Sequence, residues 1–167
     1  MKIGFTGTRN GMSDKQKDSF AKLIRKYKTK YHFVELHHGD CIGADEDAHT
    51  LIIENYLTDE VHIHPPRNEE IRANTYEKKD KKKSIKFKLY DPRPYVERNH
   101  DIVDLCEVII AAPKEYKEQS DSDTWITVRY CKMEKKRTII IYPDGKSTMW
   151  PQTRIKPRPR PKDEEDE

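Results

Sequence analysis

The apolar positions of this chain switch repeatedly between two spacings. Lys2-Ile3-Gly4-Phe5-Thr6 reads as a first strand, after which Phe20, Leu23, Ile24 and Tyr27 recur at i, i+3, i+4 and i+7, the stripe of a helix packed on a sheet. Ser13 followed by Gln16 gives that helix a capping-box start. Phe33 to His37 predicts a second strand, and Ala44, Ala48, Leu51 and Ile52 mark a helix that runs on to about Tyr56. Val61-His62-Ile63-His64 predicts a short third strand, stopped by Pro65-Pro66. Beyond Pro92 and Pro94 a helix carries Tyr95, Ile102, Val103 and Cys106 on one side. The nearly continuous apolar run from Glu107 to Pro113 predicts a strand buried on both faces, as in a parallel sheet. A helix from about Thr124 to Lys135 and a last β-branched strand, Arg137 to Tyr142, complete the pattern.

Strands alternating with helices predict an α/β fold whose parallel strands are joined by right-handed crossovers. The expected sheet has five strands in the order 3-2-1-4-5. Ligands of such sheets bind outside the carboxyl ends of the strands, near the first. Residues 1–145 are expected to form one domain, with 67–94 as a long charged loop. The run Lys78-Lys79-Asp80-Lys81-Lys82-Lys83 in that loop reads as a solvated face or a mobile segment. Residues 146–167, rich in Pro and Arg and then acidic, are expected to be a disordered tail.

The turn after the second strand concentrates the polar chemistry. In His37-His38-Gly39-Asp40-Cys41-Ile42-Gly43-Ala44-Asp45 a strand ends in glycines and acids and opens a helix. Gly39 allows close backbone approach to a ligand, and free N–H groups at the helix start favour an anion.

Composition narrows the setting. With 34% hydrophobic and 38% charged residues, the core is lean and the surface crowded with charge. A net charge of +3 is too small to argue nucleic-acid binding by itself. The three cysteines, Cys41, Cys106 and Cys131, have no metal-ligand spacing and read as reduced thiols of a cytosolic protein. No apolar stretch is long enough for a membrane span, no membrane partner is expected, and the N-terminus enters a strand without a signal peptide.

Four loops supply one constellation: Gly7, Thr8 and Arg9 after the first strand; His38, Gly39, Asp40, Gly43 and Asp45 after the second; Arg98 and Asn99 in the third helix; and Ser122, Asp123, Thr124 and Thr127 after the fourth strand. Arginines, hydroxyls and helix starts suit a phosphorylated, sugar-bearing ligand. Trp125 is placed either to stack on a base or to pack in the core. His62 and His64 share one strand face while His37 and His38 point opposite ways, so no set of three metal ligands is expected and no metal is assigned.

Together these residues resemble the SLOG superfamily, which groups the DNA-processing protein A family with the LONELY GUY phosphoribohydrolases. The match is nearest to its small YspA-related branch. It rests on Gly7-Thr8-Arg9, on His38-Gly39-Asp40-Cys41-Ile42-Gly43-Ala44-Asp45, on Arg98-Asn99 and on Asp123-Thr124-Trp125-Ile126-Thr127. The resemblance implies a Rossmann-like three-layer sandwich that binds nucleotides or nucleotide-derived ligands, and it implies a homodimer. Asp40 and Asp123 stand where the family pattern has glycines, adding carboxylates near the expected phosphate. The phosphoribohydrolases carry a catalytic glutamate where this chain has Thr127, so no catalytic residue is assigned. The leading expectation is a binding module that senses or sequesters a nucleotide or an NAD-derived signal, as related domains of bacterial immunity and phage counter-defence do. The alternatives are a nucleotide N-glycosidase assisted by Asp40, Asp45 or Asp123, and a binder of single-stranded DNA that uses the lysine loop and the tail.

Overall fold

The structure, a computed structural model, describes residues 1–152. The strands are β1 (Lys2–Gly7), β2 (Glu35–His38), β3 (Glu60–Ile63), β4 (Lys86–Leu89), β5 (Val108–Ala112), β6 (Arg137–Ile141) and β7 (Ser147–Trp150). The helices are α1 (Asp14–Tyr31), α2 (Ala44–Asn55), α3 (Tyr95–Leu105) and α4 (Asp123–Met133). All strands join one sheet in the order β4-β3-β2-β1-β5-β6-β7, parallel except for the β6–β7 pair.

The five expected strands stand at its centre in the expected order, and the sheet has seven strands rather than five. Both additions fall where the sequence has no continuous apolar run. β4 alternates Lys86 and Lys88 with Phe87 and Leu89 and lies inside the segment read as a loop. β7 lies past the expected domain boundary at 145. It returns antiparallel through a tight turn in which Gly145, at φ +82°, donates to the Tyr142 carbonyl at 2.8 Å. The basic and acidic parts of the expected tail from residue 153 lie outside the described residues.

The period-2 alternation of the strands divides the sheet's two faces. Ile3, Phe5, Leu36, Val61 and Ile63 point to the side covered by α1 and α2, where Phe20, Ile24, Ala48 and Ile52 complete the larger core. The start of α1 is fixed by Ser13 and Gln16, each side chain bonding the other's backbone N–H at 3.0 Å, as the capping pattern predicts. On the opposite face α3 and α4 pack over β1, β5 and β6. Ile102, Val103 and Cys106 meet Ile109 there, and Trp125 and Val128 meet Ala111 and Ile140. Gly4 is required at this contact: a Cβ would come within 2.6 Å of the Ile109 side chain and 2.9 Å of Ile102.

That second layer stops short of β2, β3 and β4. Their side chains on this face are Glu35, His37, Glu60, His62, Lys86, Lys88 and, just past β3, His64. An open groove of about 410 Å³ runs between this polar surface and α3, lined by His64, Tyr90, Asp91, Arg93, Arg98, Asp101, Asp104 and Leu105. The crossover from β3 to β4 contains no α-helix. It passes through two single 3-10 turns, Glu69–Ile71 and Thr75–Glu77, and returns to the start of β4 beside Glu60.

Candidate functional site

The carboxyl end of β1 faces the start of α4 across a cavity of about 270 Å³. Gly7, Thr8 and Arg9 form one wall, and Ser122, Asp123 and Thr124 form the other. Six of the expected ligand residues are therefore brought together. Ser122 caps α4 by accepting from the Trp125 N–H at 3.4 Å, while the N–H groups of Asp123 and Thr124 have no partner within the helix. Such a helix start, with two hydroxyls and a guanidinium opposite, is an anion-binding arrangement. The acid Asp123 already occupies part of it: its Oδ2 lies 3.2 Å from Arg9 Nη2, and both side chains are nearly half exposed.

Two further walls were not singled out from sequence as ligand-facing. Tyr95, the first residue of α3, lies under Arg9, whose Cζ is 5.0 Å from the ring centre, and Arg98 stacks on the same ring at 4.8 Å. Lys114 and Glu115 follow β5 directly. Their signal was positional, since residues just beyond a buried parallel strand sit at its carboxyl end.

The turn after β2 forms the scaffold behind this cavity. Gly43, at φ +102°, packs so tightly on the Arg9 backbone that no side chain fits there, and Ala44 N–H donates to the Thr8 carbonyl at 2.9 Å. The loops after β1 and β2 are thus locked together. His38 is fully buried and belongs to a directed relay. Asp40 N–H donates to His38 Nδ1 (3.0 Å), His38 Nε2 pairs with His49 Nδ1 (3.0 Å), and His49 Nε2 reaches the Lys78 carbonyl (2.8 Å). Only neutral rings satisfy that chain, and burial lowers both histidines, His38 well below its usual value.

Asp40 does not bring a carboxylate to the ligand. It is fully buried: Oδ1 accepts from Thr75 N–H (2.8 Å) and Thr75 Oγ1 (2.6 Å), and Oδ2 accepts from Arg72 Nε (3.1 Å). The glycine-to-aspartate departure therefore anchors the crossover loop. Arg98 is likewise an internal tie. Its Nη1 donates to the carbonyls of Gly39 and His64, its Nη2 contacts Cys41 Sγ at 3.5 Å, and its Nε donates to Asn99 Oδ1 at 2.9 Å. Gly39 is needed for this, because a Cβ would meet the guanidinium at 2.6 Å. Burial pushes the Asp45 carboxyl up to about 6 against the pull of Arg98. Its Oδ2 accepts from Cys41 N–H at 3.2 Å, whereas Oδ1 has no partner among the described residues.

Thr127 is buried one turn into α4 and donates to the Asp123 carbonyl at 3.0 Å. Trp125 is also buried, with its indole N–H on Glu115 at 3.0 Å. It packs in the core, the second of its two expected placements. The lysine run is not a free patch beside the cavity. Lys79 sits 3.4 Å over the Tyr76 ring and Lys82 lies 4.6 Å over Tyr56, and the run leads back to the amino end of β4.

The histidines correct the expectation that no three ligands meet. Parallel register places Glu35 opposite Glu60 and His37 opposite His62, and ligand atoms of Glu35, His37 and His62 all fall within 4.8 Å of one another. The signal was present as Glu-x-His repeated in both strands, but it required cross-strand register to be read.

No protein-family model and no curated protein matches the chain in sequence. Its fold is similar to that of DNA processing protein A from Streptococcus pneumoniae (TM-score 0.59, 18% identity), covering 83% of this chain and 49% of that one. It is also similar to DNA processing protein A from Helicobacter pylori, whose structure concerns its single-stranded DNA binding mode (TM-score 0.57, 15% identity), covering 84% of this chain and 64% of that one. The chain thus spans about half of the first neighbour and under two thirds of the second. The likeness is one of fold, a Rossmann-like α/β architecture with a mostly parallel sheet. No helix among the described residues is long and apolar enough to cross a membrane.

Proposed function

We propose that the chain binds the phosphate and sugar of a nucleotide in the cavity between Arg9 and α4, and that a single-stranded nucleic acid presents that nucleotide. The observation that carries the reading is the start of α4. N–H groups with no partner among the described residues, together with the Ser122 and Thr124 hydroxyls, face Arg9 across a space that fits one nucleotide's phosphate and sugar. Tyr95 offers an aromatic face beside it, the kind of platform on which bases stack. The fold shared with DNA processing protein A supports a nucleic acid as the bearer.

A second reading, a free or NAD-derived nucleotide bound as a signal, is favoured by one observation. Glu115, Asp121 and Asp123 line the same cavity, where carboxylates accept from ribose hydroxyls but repel a polyanion. The lysine run, lying at the far end of β4, does not extend the cavity into a long basic track.

Fluorescence anisotropy with a labelled oligothymidylate, run across a salt series and beside calorimetry with mononucleotides and dinucleotides, separates the two. Oligonucleotide binding that weakens with salt and is lost in Arg9→Ala supports the first reading. Tight binding of a small nucleotide with no measurable oligonucleotide affinity replaces it with the second. Binding of neither ligand overturns the site.

A further inference from the structure

We propose that the face of β2 and β3 opposite α1 and α2 binds one divalent transition-metal ion of the zinc class, through His37, His62 and Glu35. This does not rest on the nucleotide reading, since the cluster lies on the sheet face away from α1 and α2 and outside the cavity lining.

The distances fit such an ion. Glu35 Oε2 lies 2.9 Å from His37 Nε2 and 3.6 Å from His62 Nε2, and Glu60 Oε2 lies 3.0 Å from His62 Nε2. Donors arranged tetrahedrally about zinc at its usual bond lengths stand about 3.3 Å apart. Two imidazoles with carboxylates select zinc, cobalt or nickel over calcium or magnesium, which take oxygen ligands.

The outer partners suit a metal as well. His37 Nδ1 is 2.8 Å from His64 Nε2, and His62 Nδ1 is 2.9 Å from the Tyr90 hydroxyl. Ligating histidines ordinarily hold their second ring nitrogen in this way. Imidazole and phenol hydroxyl both donate or accept. Each ligating ring can therefore move its proton from Nε2 to Nδ1, keeping its bond to His64 or Tyr90, while the Nε2–H bonds to Glu35 and Glu60 give way to the ion.

The cluster also has a charge to compensate. Glu35 and Glu60 are directly opposite on adjacent strands, an arrangement of like charges that is destabilising. Among the described residues Glu35 has no lysine or arginine partner, and Glu60 has only the largely exposed Lys86 at 3.9 Å. A cation between the carboxylates relieves this.

The test uses the full chain, stripped with a chelator and titrated with zinc and with cobalt as a spectroscopic probe. One ion per chain is expected, with cobalt absorption of four- or five-coordinate intensity, and with side-chain nitrogen resonances of His37 and His62 shifting on zinc addition. His62→Ala should lower affinity more than roughly 100-fold, and Tyr90→Phe, which alters only an outer partner, about 10-fold. His100→Ala should leave it unchanged, because that ring, on α3, stacks on Tyr130 of α4. No uptake at millimolar metal, or uptake that leaves the His37 and His62 resonances unmoved, overturns the site. The resonance measurement on the unaltered chain decides the matter even where His62→Ala fails to fold.

Discussion

Asp40 and Thr75, 35 residues apart, meet at a single oxygen: Asp40 Oδ1 accepts from the Thr75 N–H at 2.8 Å and from its hydroxyl at 2.6 Å. With Arg72 on the other oxygen, this buried carboxylate holds a crossover that has no helix to stabilise it. Asp40→Ala leaves those donors and the Arg72 charge without their acceptor, and is expected to lower stability by about 3–5 kcal/mol in denaturant titration. Tryptic cleavage in the lysine run should accelerate in parallel. A variant as stable and protease-resistant as the parent would remove Asp40 from this role.

Arg9 and Asp123 call for the opposite experiment. Their ion pair is half exposed and contributes about 0–1 kcal/mol, so Arg9→Ala should hardly move the melting temperature. Its effect on an oligonucleotide or nucleotide phosphate should be a loss of roughly 10–100-fold, the scale of a charge-assisted hydrogen bond. Asp123→Asn frees the guanidinium and takes a negative charge from the helix start, so phosphate-bearing ligands should bind about 3-fold tighter or more. Weaker binding in Asp123→Asn would instead make that carboxylate a ligand contact.

Asp45 ties stability to pH. Burial raises its folded pKa from 3.8 to about 6, so the folded state takes up a proton that the unfolded chain has already released across that interval. The stabilisation is fully present below pH 3.8 and is lost as pH rises through about 6. Relative to Asp45→Asn, which keeps an acceptor for the Cys41 N–H, the parent should lose up to about 3 kcal/mol between pH 4 and 7.5. Parallel stability curves for the two proteins would show that Asp45 titrates normally.

Ending the chain at Asp144 removes β7, which pairs with β6 from Thr138 to Ile141. Composition alone predicts that the shortened domain folds unharmed. The pairing predicts a melting temperature several degrees lower, equivalent to about 2 kcal/mol, read by calorimetry. An unchanged transition would show that β7 adds nothing to the sheet.

The contrast between β5 and β4 shows what the sequence disclosed. Val108 to Ala112 is an unbroken apolar run because helices cover both of its faces, and such runs announce themselves. β4 has one apolar and one charged face, within a lysine-rich segment, and four residues are too few for alternation to stand out. The site divided along similar lines. Arg9, Ser122 and Thr124 were legible because helix starts and strand ends have sequence signatures. Asp40 and Arg98 were recognisable as important residues, but their hydrogen bonds run to Thr75 and to the carbonyls of Gly39 and His64, which no local pattern connects to them. The Glu35–His37–His62 cluster required strand register, a property of two segments at once.

At the far end of the sheet β4 leaves one side of its backbone unpaired, a template on which another extended chain could add. Its brevity and its two lysines work against that addition. Lys86 has 81% of its side chain in solvent, and Lys88 lies over the Tyr90 ring. A second copy brought alongside would set those charges against its own. The lysines that spoil β4 as a sequence signal therefore guard this border, and neutral residues at both positions should make it a seed for sheet-to-sheet aggregation.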